Sequence, residues 1–274
     1  MSKFSKFFTA ITFAVASAAA MADTYHFNYY YPPGGGTGVW SMPVIEGLRN
    51  KGHTVKQEFF KSCHDALTRA KTQENAFVVM GGGDILQDTA ERCPAQKDYP
   101  TFKFVSNLAS TTYYLCTAPS KTNITVAALT GPQTFKVAMS AGSSTVQIWN
   151  DFVNNSSPKL NARTIPYEAQ AAARAAVIAG TDVDMIFIAN GAEAIVSAGG
   201  KCIAASTVKN HYNVPFLARS AKTKHSDQYV TVDLWGMGTV SNDTVSALTD
   251  ILKSNAFKEF LAQRPSTVHL GLGK

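Results

Sequence analysis

Residues 27–40 read Phe-Asn-Tyr-Tyr-Tyr-Pro-Pro-Gly-Gly-Gly-Thr-Gly-Val-Trp, and this stretch decides the fold class. The aromatic run at 25–31 favours a β-strand, which the prolines and glycines at 32–36 must end. Apolar residues then recur at helical spacing over 40–48, and Gly52 is a suitable helix stop. The stretch therefore predicts a strand, a turn of small residues and a helix.

The same pattern occurs twice more along the chain. A short apolar strand at 76–80 ends in Gly-Gly-Gly-Asp at 81–84, and a strand at 136–139 ends in Ser-Ala-Gly-Ser-Ser-Thr at 140–145. Further strands are predicted at 54–60, 102–108, 111–118, 163–165, 185–188 and 202–207. Further helices are predicted at 64–71, 169–179, 244–252 and 256–261. Strands that alternate with helices are typical of an α/β fold with largely parallel sheets.

The three turns of small residues are candidate binding loops. In open α/β sheets, ligands lie beyond the carboxyl ends of the strands, where backbone N–H groups and a helix N-terminus can hold an anion. The loops contain no lysine or arginine, and the third adds serine and threonine hydroxyls. Neutral donors suit a carboxylate that must be released again, because a buried ion pair is costly to form and to break. The alternative is that each loop serves merely as a turn.

Other functional classes lack their motifs. Neither GxGxxG nor GxxxxGK[ST] is present, which disfavours nucleotide binding. No GxSxG motif is present, and no two of the six histidines stand at i, i+4 spacing, so neither an enzyme nor a metal or other cofactor is expected. Asp182 and Asp184 are expected to cap a helix end or face water rather than to act as paired acids.

The N-terminus has the pattern of a secretion signal. Lys3 and Lys6 precede an apolar run at 7–20, and Ala20-Met21-Ala22 matches an A-x-A cleavage site. Residues 1–22 are therefore predicted to be a cleaved signal peptide, with an uncleaved anchor as the alternative. Removing the two lysines leaves 25 − 2 = 23 basic residues against 19 acidic ones, a net charge of +4. This mild, scattered excess does not predict nucleic acid as a partner.

Four cysteines suit an exported protein, since an oxidising compartment favours disulfides. Three connectivities are possible, and the positions favour Cys63–Cys93 and Cys116–Cys202. The alternative is that the thiols are free and buried.

Several segments, in order, resemble one family of binding proteins. Residues 31–38 resemble the proline–glycine–glycine loop that opens the substrate-binding proteins of tripartite tricarboxylate transporters, the Bug or TctC-like family. The segment 135–145 is similar to that family's strand and small-residue loop in the second lobe. Ile165-Pro166-Tyr167, the segment 180–187 and the strand 200–207 resemble further elements of the same family.

This resemblance implies a two-lobed periplasmic binding protein of type II, each lobe a mixed α/β sheet flanked by helices, with the lobes joined at a strand hinge. The first lobe would comprise residues 23–115 and 207–274, and the second lobe residues 116–206. The implied function is capture of a small carboxylate solute between the lobes and its delivery to membrane permease components of a tripartite transporter. A periplasmic monomer is expected, and a stand-alone periplasmic sensor or scavenger and a secreted hydrolase are the alternatives.

The resemblance and the three loops together define the expected ligand-binding residues, which lie on both lobes. They are Gly34, Gly35, Gly36, Thr37, Gly82, Gly83, Ser140, Gly142, Ser143, Ser144, Thr145 and Tyr167.

Overall fold

The computed structural model describes residues 22–31, 33, 35–81, 103–141, 144–156, 158–207, 209–217, 230–265 and 267–268. Its strands are β1 (Thr24–Tyr29), β2 (Thr54–Phe59), β3 (Ala76–Gly81), β4 (Lys103–Thr111), β5 (Tyr114–Thr117), β6 (Phe135–Ser140), β7 (Ala162–Tyr167), β8 (Met185–Ile188), β9 (Lys201–Ala205), β10 (Val230–Gly236) and β11 (Thr267–Val268). Its α-helices are α1 (Gly36–Asn50), α2 (Cys63–Lys71), α3 (Ser144–Asn155), α4 (Gln170–Ala179), α5 (Ala192–Ser197), α6 (Asn242–Lys253) and α7 (Asn255–Ala262). Short 3-10 helices occur at Pro119–Lys121 and Ala127–Thr130.

Two mixed sheets organise these elements. The first sheet has the order β11-β4-β10-β3-β1-β2, and the second has the order β7-β6-β8-β5-β9. In the first, β1 pairs in parallel with β2 and β3, while β10 is antiparallel to both β3 and β4. In the second, β6 pairs in parallel with β7 and β8, while β5 is antiparallel to both β8 and β9.

The two sheets therefore share one plan. In the first sheet the order is β2-β1-β3, followed by the antiparallel strand β10 and then β4. In the second sheet the corresponding order is β7-β6-β8, followed by the antiparallel strand β5 and then β9. The inserted strand, β5 or β10, is the first one that the chain forms after it crosses from the other sheet. We refer to the elements packed on the first and second sheets as the first and second lobes. The predicted fold class, two mixed sheets flanked by helices, is confirmed.

Buried apolar side chains cover both faces of each sheet. In the first lobe, one core joins β1 and β3 to α1, α6 and α7 through residues such as Phe27, Trp40 and Leu248, and a second core lies beneath α2. In the second lobe, Trp149 of α3 and Phe187 of β8 belong to one core, and α4 and α5 cover the other face. Because both faces are covered, β3 and β8 are buried along their whole length.

Residues 112–113 and 206–207 lie side by side at the junction of the lobes. The chain leaves the first sheet after Thr111 and enters the second at Tyr114. After β9 the chain stays on the second lobe, where Phe216 bridges to Ala205 and Leu217 joins the core. The two segments bond to each other: Ser206 N donates to Tyr113 O at 2.9 Å, and the hydroxyls of Thr112 and Thr207 lie 3.0 Å apart. These side chains are buried. The predicted boundary between residues 115 and 116 falls inside β5, and the domain limits stay a prediction.

One predicted disulfide is present. Cys116 and Cys202 face each other on the paired strands β5 and β9 and form a disulfide. Cys63, at the start of α2, is also disulfide-bonded. Its predicted partner, Cys93, lies outside the described residues, so that pairing stays a prediction. The described cysteines include no free thiol.

The predicted signal peptide lies outside the described residues except for Ala22. The helices that the structure describes are all too short or too polar to span a bilayer.

Candidate functional site

The strand order places the candidate site at one edge of each sheet. Where parallel strands run in the order second-first-third, the connections leave the first strand in opposite directions, and a crevice opens beyond the carboxyl ends of the first and third strands. In the first lobe these ends are Tyr29 and Gly81, and in the second lobe they are Ser140 and Ile188. Three of the four were predicted from sequence; the turn after Ile188 was missed.

The first-lobe side of the site is the N-terminus of α1. Gly35 is the cap residue, with extended backbone angles, and no side chain caps the helix. The N–H groups of the first turn have no partner inside a helix, and they carry the positive end of its dipole. Gly36 and Thr37 form this turn, and Thr37 is buried. Gly34 lies outside the described residues, as do Gly82 and Gly83 after β3.

The second-lobe side is the end of β6 and the start of α3. Ser140 pairs with Tyr167 across β6 and β7, and Ala141 N donates to Tyr167 O at 2.7 Å. Thr145 lies in the first turn of α3 and is half-buried. Tyr167 is also half-buried and packs against the core beneath α4. The predicted residues Gly142 and Ser143, and the side chain of Ser144, lie outside the described part of the chain.

Asn190 joins the two sides. It follows β8 in the second lobe, and its Oδ1 accepts a hydrogen bond from Trp40 Nε1 of α1 at 2.7 Å. Gly36 lies against the same amide: a β-carbon added to Gly36 would overlap Asn190 Nδ2. Gln170, at the start of α4, donates to Asn190 O at 3.2 Å. The start of α1 therefore contacts the second sheet at the carboxyl end of β8.

A crevice of about 360 Å³ opens beside this contact, between the lobes. Its walls come from α1, α4, the Asn190–Gly191 turn, the start of α5 and the chain just after α7. The charged residues on these walls are Arg174, Glu193 and Arg264. Burial lowers the pKa of Arg264 from its ordinary value, and the negative charge of Glu193 acts in the opposite direction. The crevice thus combines polar amides with net positive charge.

Asp184 lies away from the inter-lobe crevice. Asp184 precedes β8, at the opposite edge of the second sheet from Asn190. Its carboxylate accepts the backbone N–H of Lys136 at 2.8 Å and lies 3.9 Å from Lys121 Nζ. Within the described part of the chain, no histidine lines the inter-lobe crevice and no group of His, Cys, Asp or Glu could hold a metal ion. Asp184 therefore stabilises the junction of β6 and β8.

Solved structures share this fold over nearly the whole chain. The periplasmic binding protein BugD superposes with a TM-score of 0.67 at 17% sequence identity, over 90% of this chain and 88% of its own. The fold is that of a periplasmic binding protein. MatC (Rpa3494) from Rhodopseudomonas palustris with bound malate has a TM-score of 0.65 at 15% identity, and the match covers 90% of each chain. R. palustris Rpa4515 with adipate has a TM-score of 0.69 at 14% identity, over 93% of this chain and 90% of its own.

The likeness to these periplasmic binding proteins is one of fold. No protein-family model matches the sequence, and no curated protein matches it. The fold that the sequence resemblance implied is nevertheless the fold that these neighbours share.

The residues that sequence reasoning missed are those that depend on tertiary contacts. Asn190 and Gly191 form a fourth strand-to-helix turn, but the helix after it has six residues, too few to show a clear period. The position of the turn after the apolar strand β8 was the available signal. Arg174 and Arg264 stand on or beside regular helices 90 residues apart, and no local pattern brings them together.

Proposed function

We propose that the mature chain is an extracytoplasmic solute-binding protein that captures a small carboxylate between its two lobes and delivers it to a membrane permease. The observation that carries this proposal is the contact of Gly36 and Trp40 with Asn190. This contact brings the uncapped N-terminus of α1 to the carboxyl end of β8 in the second sheet. Polar groups of both lobes then line one crevice, and Gly36 is the one predicted ligand-binding residue among its described lining.

The chemistry of the loops supports a carboxylate. The predicted donors are backbone N–H groups and hydroxyls: Gly34, Gly35, Gly36 and Thr37 in the first lobe, with Gly82 and Gly83 after β3, and Ser140, Gly142, Ser143, Ser144 and Thr145 in the second lobe. Tyr167 would line the cleft. Neutral donors and helix dipoles hold an anion without a fixed ion pair, so the solute can be released. Two proteins with this fold were solved with carboxylates, malate in MatC and adipate in Rpa4515.

Closure of the lobes would couple binding to transport. A solute that contacts both lobes shifts the open–closed equilibrium by its differential affinity for the closed state. The paired segments at Thr112 and Thr207 are the hinge in this account. A permease would recognise the closed form, and the protein would act as a periplasmic monomer after cleavage of residues 1–22, without catalysing a reaction.

Thermal-shift and calorimetric screening of the mature protein tests the proposal. Malate, adipate, citrate, benzoate and amino acids are compared with nucleotides and sugars. At least one carboxylate should raise the melting temperature, because a ligand that binds the native state alone stabilises it. If a nucleotide or a sugar raises it and no carboxylate does, the proposal is wrong.

A further inference from the structure

Two arginines from opposite lobes line the inter-lobe crevice. Arg174 projects from α4 of the second lobe, and Arg264 follows α7 of the first. Neither has a carboxylate within 4.0 Å among the described residues. Among the described residues of the walls Glu193 is the one acidic side chain, so two positive charges face one negative charge. The net positive charge of this half-enclosed space favours an anionic guest.

Arg174 is held against a backbone that is shaped for it. Gly191 has φ +85°, a conformation that favours glycine, and a β-carbon there would overlap the Arg174 guanidinium. Gln170 lies one helical turn earlier on α4, and its side chain donates a hydrogen bond to Asn190 O. This bond holds α4 against the Asn190–Gly191 loop. Arg174 itself makes no hydrogen bond or ion pair with any described residue, so its donors remain available on this side of the crevice.

Arg264 is held from the other side. Its guanidinium stacks 3.7 Å above the Phe260 ring, lies 5.8 Å from the Trp40 ring, and donates to Phe260 O at 2.9 Å. Stacking fixes the plane of the guanidinium and leaves its other N–H groups to bind. A side chain that is already ordered loses less conformational entropy when a ligand binds.

We propose that this crevice binds an oxyanion, a carboxylate or phosphate group, between Arg174 and Arg264. The volume of about 360 Å³ falls within the range of roughly 300–1,000 Å³ that small-molecule pockets occupy. Such a guest would connect the lobes beside the Trp40–Asn190 contact and stabilise their closed arrangement. The crevice shares Gly36 with the first donor loop, but the proposed contacts to the anion are the two guanidinium groups, so the site stands whether or not the loops bind a carboxylate. Its anion is either the far carboxylate of a longer solute or a separate ion.

Isothermal titration calorimetry on the mature protein tests the site with butyrate, adipate and inorganic phosphate. Arg174→Gln and Arg264→Gln should each weaken the binding of adipate or phosphate at least tenfold. Arg163→Gln, which removes an exposed arginine of the second lobe, is the matched control and should change affinity less than twofold. Because Arg264 also packs on Phe260, a second variant, Arg264→Lys, keeps the positive charge and the aliphatic part of the side chain but removes the planar guanidinium group. That variant should also weaken binding.

The pattern of losses identifies the source of the anion. A loss for adipate but not for butyrate places the far carboxylate of the solute in the crevice, whereas a loss confined to phosphate assigns the site to a separate ion. If the Gln variants bind all three anions as the wild type does, the site is wrong, although a carboxylate that binds equally to all variants would leave the proposed function intact. Arginine-dependent phosphate binding, with no carboxylate bound in the wider screen, supports the site and refutes the proposed function.

Discussion

Gly36→Ala should hold the two lobes apart while leaving each lobe folded. Gly36 is the first residue of α1, and the added methyl group would overlap the side-chain nitrogen of Asn190 in the second lobe. Gly38→Ala is the matched control: it lies two residues along the same helix, and its β-carbon would meet no atom within 4 Å. Both substitutions keep the backbone N–H groups at the start of α1, so a difference between them reports on the lobe contact.

The magnitude follows from what Asn190 must give up when it moves. Its Oδ1 accepts a 2.7 Å hydrogen bond from Trp40 Nε1, and the Trp40 side chain is buried. Loss of one such bond costs about 1 kcal/mol, and a buried donor left unpaired costs about 1–3 kcal/mol. We therefore expect closure to be about 1–2 kcal/mol less favourable, which weakens solute binding roughly 5- to 30-fold. Glycine in a helix interior is less stable than alanine by roughly 0.5–1 kcal/mol, and the difference is smaller at the first residue, so the stability of the free protein should change little.

Isothermal titration calorimetry with the carboxylate that gives the largest thermal shift measures this effect. Gly36→Ala should bind 5- to 30-fold more weakly than the wild type, and Gly38→Ala should bind within twofold of it. Thermal melts without ligand check that both variants are folded. Equal affinity for Gly36→Ala and the wild type, or an equal loss in both variants, would refute the reasoning that this contact belongs to the closed, solute-bound arrangement.

Three further predictions concern stability. Replacing Cys116 and Cys202 by alanine opens a loop of 86 residues and should lower the free energy of unfolding by roughly 4–5 kcal/mol. Calorimetry should then find a melting temperature roughly 10–15 °C lower. An unchanged melting temperature would contradict this. Asp184→Ala removes the acceptor of a backbone N–H on β6 and should lower the free energy of unfolding in urea by about 1–2 kcal/mol. Carboxylate affinity should not change, because Asp184 lies at the opposite end of the strands from the candidate site. Reduced affinity would count against its structural role. Burial alone would raise the pKa of Glu58, but hydrogen bonds from Arg69 and a neighbouring glutamine, with the charge of Arg69, hold it below its ordinary value of 4.5. Glu58 therefore stabilises the fold above about pH 4.5 and loses this contribution as the pH falls through its folded pKa. In Glu58→Gln, the free energy of unfolding measured in urea should fall less steeply at acidic pH than in the wild type. The same pH dependence in both proteins would contradict this.

Local patterns were sufficient to predict most of the fold. The strand predicted at 185–188 coincides with β8, and the helix predicted at 169–179 begins one residue before α4. The helix combines a clear period with a definite stop, since Gly180, in the left-handed conformation, caps α4 after Ala179. The strand predicted at 111–118 is shorter, because the chain crosses between lobes at Thr112 and Tyr113 before β5 begins.

Other features depend on which segments pair in three dimensions. β10 was not predicted, although it forms the antiparallel strand inside the first sheet. Its partners, β3 and β4, lie more than 100 residues earlier in the chain, so no neighbouring repeat of strand and helix marks it. The arginines of the crevice were missed for the same reason, whereas the turn at Asn190 was missed because the helix after it is too short to show a period. The small-residue turns were found because their composition is itself local.

A crystal structure of the mature protein with its tightest-binding carboxylate would test the central claim most directly. We predict carboxylate oxygens within hydrogen-bonding distance of backbone N–H groups at the start of α1 and at the start of α3, with Asn190 still bonded to Trp40. A carboxylate bound to one lobe alone, or on a surface away from the ends of β1 and β6, would contradict the account.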